Sequence, residues 1–220
     1  MIIDLDLTFN INADSLADKI NNAMLKRISK SINKRLPAMT NRVKILLEGL
    51  IKASPAYDSL LGNGPESLQA NMGLIAPQPI LDRLIEAIKT GMEIEFIKFT
   101  EAAGKLSFSI LRSDYQDLLS ISGASYLSKN KLTGTVYKID WLDYLLTFGD
   151  RIVILDHHIH YTTDIPSRSK QAVMSPTGFW KVPSTYAGFV GNNFLTKAIN
   201  VPEFRAGFQT ILSEEIRRGL

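Results

Sequence analysis

Met92-Glu93-Ile94-Glu95-Phe96-Ile97 and, after a short break, Leu106-Ser107-Phe108-Ser109-Ile110-Leu111 decide the fold. Up to Gly91 apolar residues recur at helical spacing, whereas here Met92, Ile94 and Phe96 alternate with Glu93, Glu95 and Ile97. Leu106, Phe108 and Ile110 alternate in the same way with Ser107, Ser109 and Leu111. Side chains on a strand point to opposite faces in turn, so a two-residue period means one dry face and one wet face. The two runs form a hairpin across Thr100 to Lys105.

Upstream, Met1 to Ile11 has the same alternation and reads as a half-buried strand, after which Asn12, Asp14 or Ser15 can cap a helix. Leu16, Ile20, Met24, Ile28, Ile32 and Leu36 then recur every four residues, a stripe that drifts by about 40° per step around a 3.6-residue helix. Pro37 interrupts this pattern, and a second helix is expected from about Ala38 to Lys52, with Val43, Leu46, Leu47, Leu50 and Ile51 inward. Ser54-Pro55 caps a short helical turn, Pro65 to Asn71 adds another, and Ala76 to Pro79 is a linker. Ile80 to Thr90 is an amphipathic helix closed by Gly91.

Downstream, Leu132 to Ile139 is rich in strand formers, Trp141 to Phe148 is a short apolar helix, and Arg151 to Leu155 and His157 to Thr163 add sheet. Asp164 to Phe179 reads as a loop, irregular chain continues to Asn193, and a last helix spans about Pro202 to Arg218. Helices, then sheet, then a helix predict an α+β fold, with N-terminal helices packed on a mostly antiparallel sheet and a C-terminal helix. The expected organisation is one domain over 1–220, helical over about 13–90 and sheet-rich over about 91–220.

Composition is that of a globular chain, 45% hydrophobic and 21% charged over 220 residues. The absence of cysteine excludes disulfides, thiolate metal sites and cysteine nucleophiles. No apolar run approaches the roughly 18 residues of a membrane span, and Met1 to Asp6 lacks the regions of a signal peptide. Charge is uneven: nine basic residues against three acidic ones lie between Ala13 and Lys52. Basic helices of this kind either present a solvated face or subunit contact, or line a channel that carries DNA.

The C-terminal third holds the densest run of distinctive residues. Ser167-Arg168-Ser169-Lys170-Gln171-Ala172-Val173-Met174 leads to Phe179-Trp180-Lys181-Val182-Pro183, then Tyr186-Ala187-Gly188 and Asn192-Asn193-Phe194-Leu195-Thr196-Lys197-Ala198. This order resembles virion proteins of tailed phages, of the neck and tail-completion kind. The pattern they share is Ser-Arg-Ser/Thr-x-x-Ala-x-Met, Trp-x-Val-Pro, Ala-Gly and Asn-Phe-x-Thr-Arg-Ala, with Lys197 here in place of the arginine. Ser54 to Leu61, Met72-Gly73-Leu74 and Asp140 to Leu146 extend the likeness in patches.

The resemblance implies a structural subunit that joins head and tail as part of a ring, assembled in the host cytoplasm and resident in the virion. Its implied partners are other copies of itself, head-connector proteins and tail-tube or tail-terminator proteins, with packaged DNA passing through the channel and no membrane. A minor tail or baseplate component is the alternative. Arg168, Ser169, Met174, Trp180, Tyr186, Asn193 and Lys197 are the candidate contact residues. No enzyme activity, cofactor or metal site is expected.

Two clusters invite chemistry. Asp156, His158 and His160 would share one strand face, but steps of about 7 Å between such side chains are too long for one ion without a bend. Glu93, Glu95, Lys98 and Asp140 would suit a metal-dependent nuclease, yet Glu95 and Lys98 lie one residue further apart than the usual Glu-x-Lys. Solvent-facing charges on a sheet explain both better.

Overall fold

The computed structural model describes residues 2–5, 15–64, 66–100, 103–109, 115–129 and 134–219. In chain order these form β1 (Ile2–Leu5), α1 (Ser15–Lys52), α2 (Pro55–Leu60), α3 (Leu68–Asn71), α4 (Gln78–Gly91), β2 (Glu93–Thr100) and β3 (Ala103–Ser109). There follow α5 (Gln116–Leu119), β4 (Tyr126–Lys129), β5 (Val136–Ile139), α6 (Trp141–Leu146), β6 (Ile152–Tyr161), β7 (Ala172–Lys181), α7 (Phe194–Ile199) and α8 (Pro202–Gly219). The fold is α+β. The candidate caps Asn12 and Asp14, residues 6–11 of the first run, Ile110, Leu111, and Leu132 and Thr133 of the later strand-forming run lie outside the described residues.

The chain clusters into two compact units, one of residues 1–49, 88–112 and 200–220, the other of 50–87 and 113–199. In the first, β1, β3 and β2 make an antiparallel sheet in that order, with Glu93 opposite Ser109 and Ile94 opposite Phe108. Met92 and Ile94 are buried and Glu93 is exposed, as the alternation requires. All strand pairs are antiparallel, but β4–β5 and β6–β7 form two separate ribbons rather than extending one sheet.

One expectation for α1 changes. The helix runs unbroken through Pro37. Proline removes one helical hydrogen bond and presses on the carbonyl four residues earlier, at Asn33. Both Pro37 and Asn33 are exposed, so water can take the place of the missing N–H. Along the four-residue stripe Ile32 is inside, while Met24 is 55% exposed.

In the same unit α8 packs on α1. Phe204, Phe208, Ile211 and Leu212 are buried at helical spacing, and a Cβ on Gly207 would stand 2.8 Å from Leu46 Cδ2, so the two helices approach closely there. The buried carboxylate of Glu215 accepts from Arg42 Nη1 at 3.0 Å and from Arg218 Nη1 at 2.9 Å. Arg42 Nη2 donates to Glu214 at 2.6 Å, and Arg35 Nη2 donates to the carbonyl of Arg218 at 3.1 Å. A buried carboxylate is tolerated only with partners of this kind.

The hydrogen bonds from Arg42 hold the Glu214 carboxyl below its ordinary value of 4.5. A depressed folded-state pKa contributes stability above the unfolded value and loses it as pH falls through the folded one. Arg42→Met is expected to lower the melting temperature by about 5 °C. It also flattens the decline of stability below pH 4.5, both read by thermal melts of the two proteins across acidic pH.

Candidate functional site

The residues singled out in the C-terminal third all fall in the second unit, and the fold uses most of them to build it. Ser54 caps α2 by accepting from the N–H of Tyr57, with Pro55 in the first turn. Ser67 caps α3 by accepting from the N–H of Ala70. That places Asn71, the last residue of α3, in the interior. Its Oδ1 accepts from the indole Nε1 of Trp180 at 3.0 Å, and its Nδ2 donates to the hydroxyl of Tyr161 at 2.9 Å. One side chain therefore holds both β6, through Tyr161, and β7, through Trp180.

The β6–β7 hairpin corrects two expectations. β6 is one strand across Asp156, and β7 occupies residues 172–181, where a loop was expected. Pro176-Thr177-Gly178 read as loop residues because proline cannot donate to a ladder and glycine weakens a strand. The ribbon absorbs them in an irregularity between Leu155 and His157 on one strand and Phe179 and Pro176 on the other. Asp156, Thr177 and Gly178 all adopt positive φ there. The Thr177 carbonyl can only accept, so His158 Nδ1 donates to it, at 2.7 Å.

Arg168 pins the segment that joins the two strands. Its guanidinium lies 3.9 Å from the ring centroid of Tyr126, and its Nε donates to the carbonyl of Gly73 at 2.9 Å. The Tyr126 hydroxyl donates to the adjacent carbonyl of Met72 at 2.7 Å. Ser169 Oγ accepts from the N–H groups of Gln171 and Ala172, which turns the chain into β7.

Asn193 is wholly buried at the start of α7. Its Oδ1 accepts from the N–H groups of Leu195 and Thr196, both at 3.1 Å, so it caps the helix. Its Nδ2 donates to the Tyr115 hydroxyl at 3.0 Å and to the carbonyl of Leu146 at 3.1 Å. Gly188 is packed against this cluster: a Cβ there would lie 2.4 Å from the Leu145 carbonyl oxygen and 2.6 Å from Asn193 Cβ.

Trp180 and Asn193, expected at a subunit contact, thus spend their polar groups inside the unit, because a buried indole N–H or carboxamide needs partners. Arg168 and Ser169 hold the loop, Tyr186 is half-buried, and Met174 and Lys197 are exposed. The ribbon also exposes apolar side chains outside that set. Leu155 and Phe179 are cross-strand partners, 69% and 51% exposed, with Ile152 further along the ribbon at 47%. The pair escaped sequence reading because β7 was not seen, and without its register Phe179 has no partner.

Among the described residues no group of three or more histidine and carboxylate side chains is placed to hold a metal ion. Asp140 pairs with Lys138 at 2.5 Å. The side chains of Glu95 and Lys98 lie outside the described residues. Comparison with protein-family models, with curated proteins and with solved structures finds no match.

Removing the indole leaves Asn71 Oδ1 unpartnered and a cavity where Trp180 was 4% exposed. Trp180→Ala is expected to cost about 3–5 kcal/mol in denaturant unfolding. Burial also raises the phenols of Tyr126, Tyr144 and Tyr161 above their ordinary value of 10.0. Their contribution is therefore intact below pH 10.0 and lost as pH rises through the folded-state values, which an alkaline unfolding titration reads directly.

Proposed function

We propose that this protein is a structural subunit of a tailed-phage virion, a neck or tail-completion protein that joins head and tail as part of a ring. The likeness in Ser167 to Met174, Trp180 to Pro183 and Asn193 to Ala198 motivates the class, and the fold gives those residues architectural work. Motifs that specify an architecture rather than a reaction suit a structural subunit.

The observation that carries the reading is the exposed Leu155/Phe179 pair on a two-stranded ribbon. Among the described residues no third strand pairs with either edge of this ribbon, and an apolar cross-strand pair beside open edges is a surface suited to a neighbour. Asn71, Tyr161 and Trp180 fix the ribbon to α3, so its backbone is ordered before assembly and the ordering cost falls on the exposed side chains alone. In this reading the partners are further copies in the ring, head-connector proteins and tail-tube or tail-terminator proteins. Specificity comes from packing, and no catalytic step is assigned.

The test is the mass of the protein by light scattering, alone and mixed with head and tail fractions from the same source. Incorporation into a large ring supports the reading, and a monomer indifferent to both fractions removes it. Leu155→Lys combined with Phe179→Glu, which sets opposite charges across the strand pair, is expected to abolish incorporation while circular dichroism and melting temperature stay within a degree or two of the parent.

A further inference from the structure

The first unit carries a separate feature that the assembly surface does not use. From Lys19 to Leu47 the chain contains no acidic residue. On α1, Lys26, Lys30, Lys34 and Lys44 project within about 80° of one another around the helix axis and span about 27 Å. The first three are exposed and Lys44 is half-buried. Exposed Asn33 and Asn41 and half-buried Thr40 fall on the same side, where they line a shallow groove with Leu36, Pro37 and Lys44.

Two arginines of this stretch are differently placed. Arg35 and Arg42 turn to the opposite side of α1 and bind α8 through Arg218, Glu214 and Glu215. Glu48, the next acid along the helix, is matched by Lys89 at 2.9 Å. What faces solvent is thus a line of ammonium groups interleaved with neutral amide and hydroxyl donors.

We propose that this face of α1 binds the phosphate backbone of duplex DNA without reading sequence. Lysine, asparagine and threonine are the usual donors to phosphate oxygens. Laid along the duplex axis, a line about 27 Å long covers about eight base-pair steps at 3.4 Å each, enough to meet phosphates on both sides of a groove. Residues 23–52 contain no aromatic side chain. Single-strand binders stack bases on aromatic rings, and interfacial membrane helices sink the side opposite their basic face into lipid, whereas here that opposite side carries Arg35 and Arg42 bound to α8. The chemistry therefore favours a duplex over a single strand or an anionic lipid surface. The inference stands on α1 alone, so it can fail while the proposed ring reading holds, and the reverse.

The test is fluorescence anisotropy of the full chain with a labelled duplex of arbitrary sequence, titrated over a series of salt concentrations. Four engaged lysines predict a slope of log Kobs against log salt of about −3.6. Lys26→Gln, Lys30→Gln, Lys34→Gln and Lys44→Gln together are expected to weaken binding at low salt at least tenfold and to bring the slope close to zero. The control removes four exposed lysines of the second unit, Lys129, Lys138, Lys170 and Lys197, and is expected to leave binding within about twofold. Equal loss in the control overturns the proposal, since net charge alone would then explain it. No binding to the duplex, or binding to phosphatidylserine vesicles and not to the duplex, also overturns it. A melt of each variant verifies that the fold is retained.

Discussion

A carboxamide taken wholly out of water must satisfy two donor hydrogens and an acceptor oxygen from the protein itself, and the second unit is arranged around that demand at Asn193. Its oxygen caps α7, and its nitrogen ties α7 to Tyr115 before α5 and to the last residue of α6. Gly188 has no room for a side chain because this cluster fills the space beside it. Asn71 meets the same demand beside the β6–β7 ribbon, through Tyr161 and Trp180. Short helices of four to six residues have little stability of their own, so such buried polar joints and the packed Trp141, Leu142, Leu145 and Leu146 hold them in place.

This arrangement determines what is left for partners. The most conspicuous side chains of the C-terminal third, Trp180 above all, are consumed in holding the ribbon. The ribbon's outward register then exposes Leu155 and Phe179. The first unit follows a different logic: on α1, Arg35 and Arg42 fasten α8, while Lys26, Lys30 and Lys34 face water. Arginine's planar, multiply donating head suits the buried Glu215, whereas lysine's compact charge suits a solvated surface.

The fold class was legible because period is a local signal. Met92 and Ile94 alternate as a strand with one dry face should, and Phe204, Phe208, Ile211 and Leu212 recur as a buried helix face should. Ser54-Pro55 announced a cap that is present. Local rules misread Pro37 and Pro176, since whether a proline breaks an element depends on what lies around it. Pro37 is solvated on a long helix, and Pro176 falls beside a ribbon irregularity.

The candidate site was less legible, because the roles of Trp180 and Asn193 depend on partners 109 and 78 residues away in sequence. Nothing local distinguishes an interface tryptophan from one whose indole meets a buried asparagine. Leu155 is likewise unremarkable until its cross-strand partner is known.

The indole N–H of Trp180 probes this arrangement most directly. The chain has two tryptophans, and both donate from Nε1, Trp141 to the Gly123 carbonyl at 2.6 Å and Trp180 to Asn71 at 3.0 Å. Hydrogen exchange of the two indole protons, followed by NMR in the isolated monomer, should find both exchanging only through unfolding of the unit, with matching free energies of opening. Fast exchange at Trp180 in the monomer, with protection gained only in an assembly, would contradict the internal role of Asn71 and Trp180 and return Trp180 to the subunit contact.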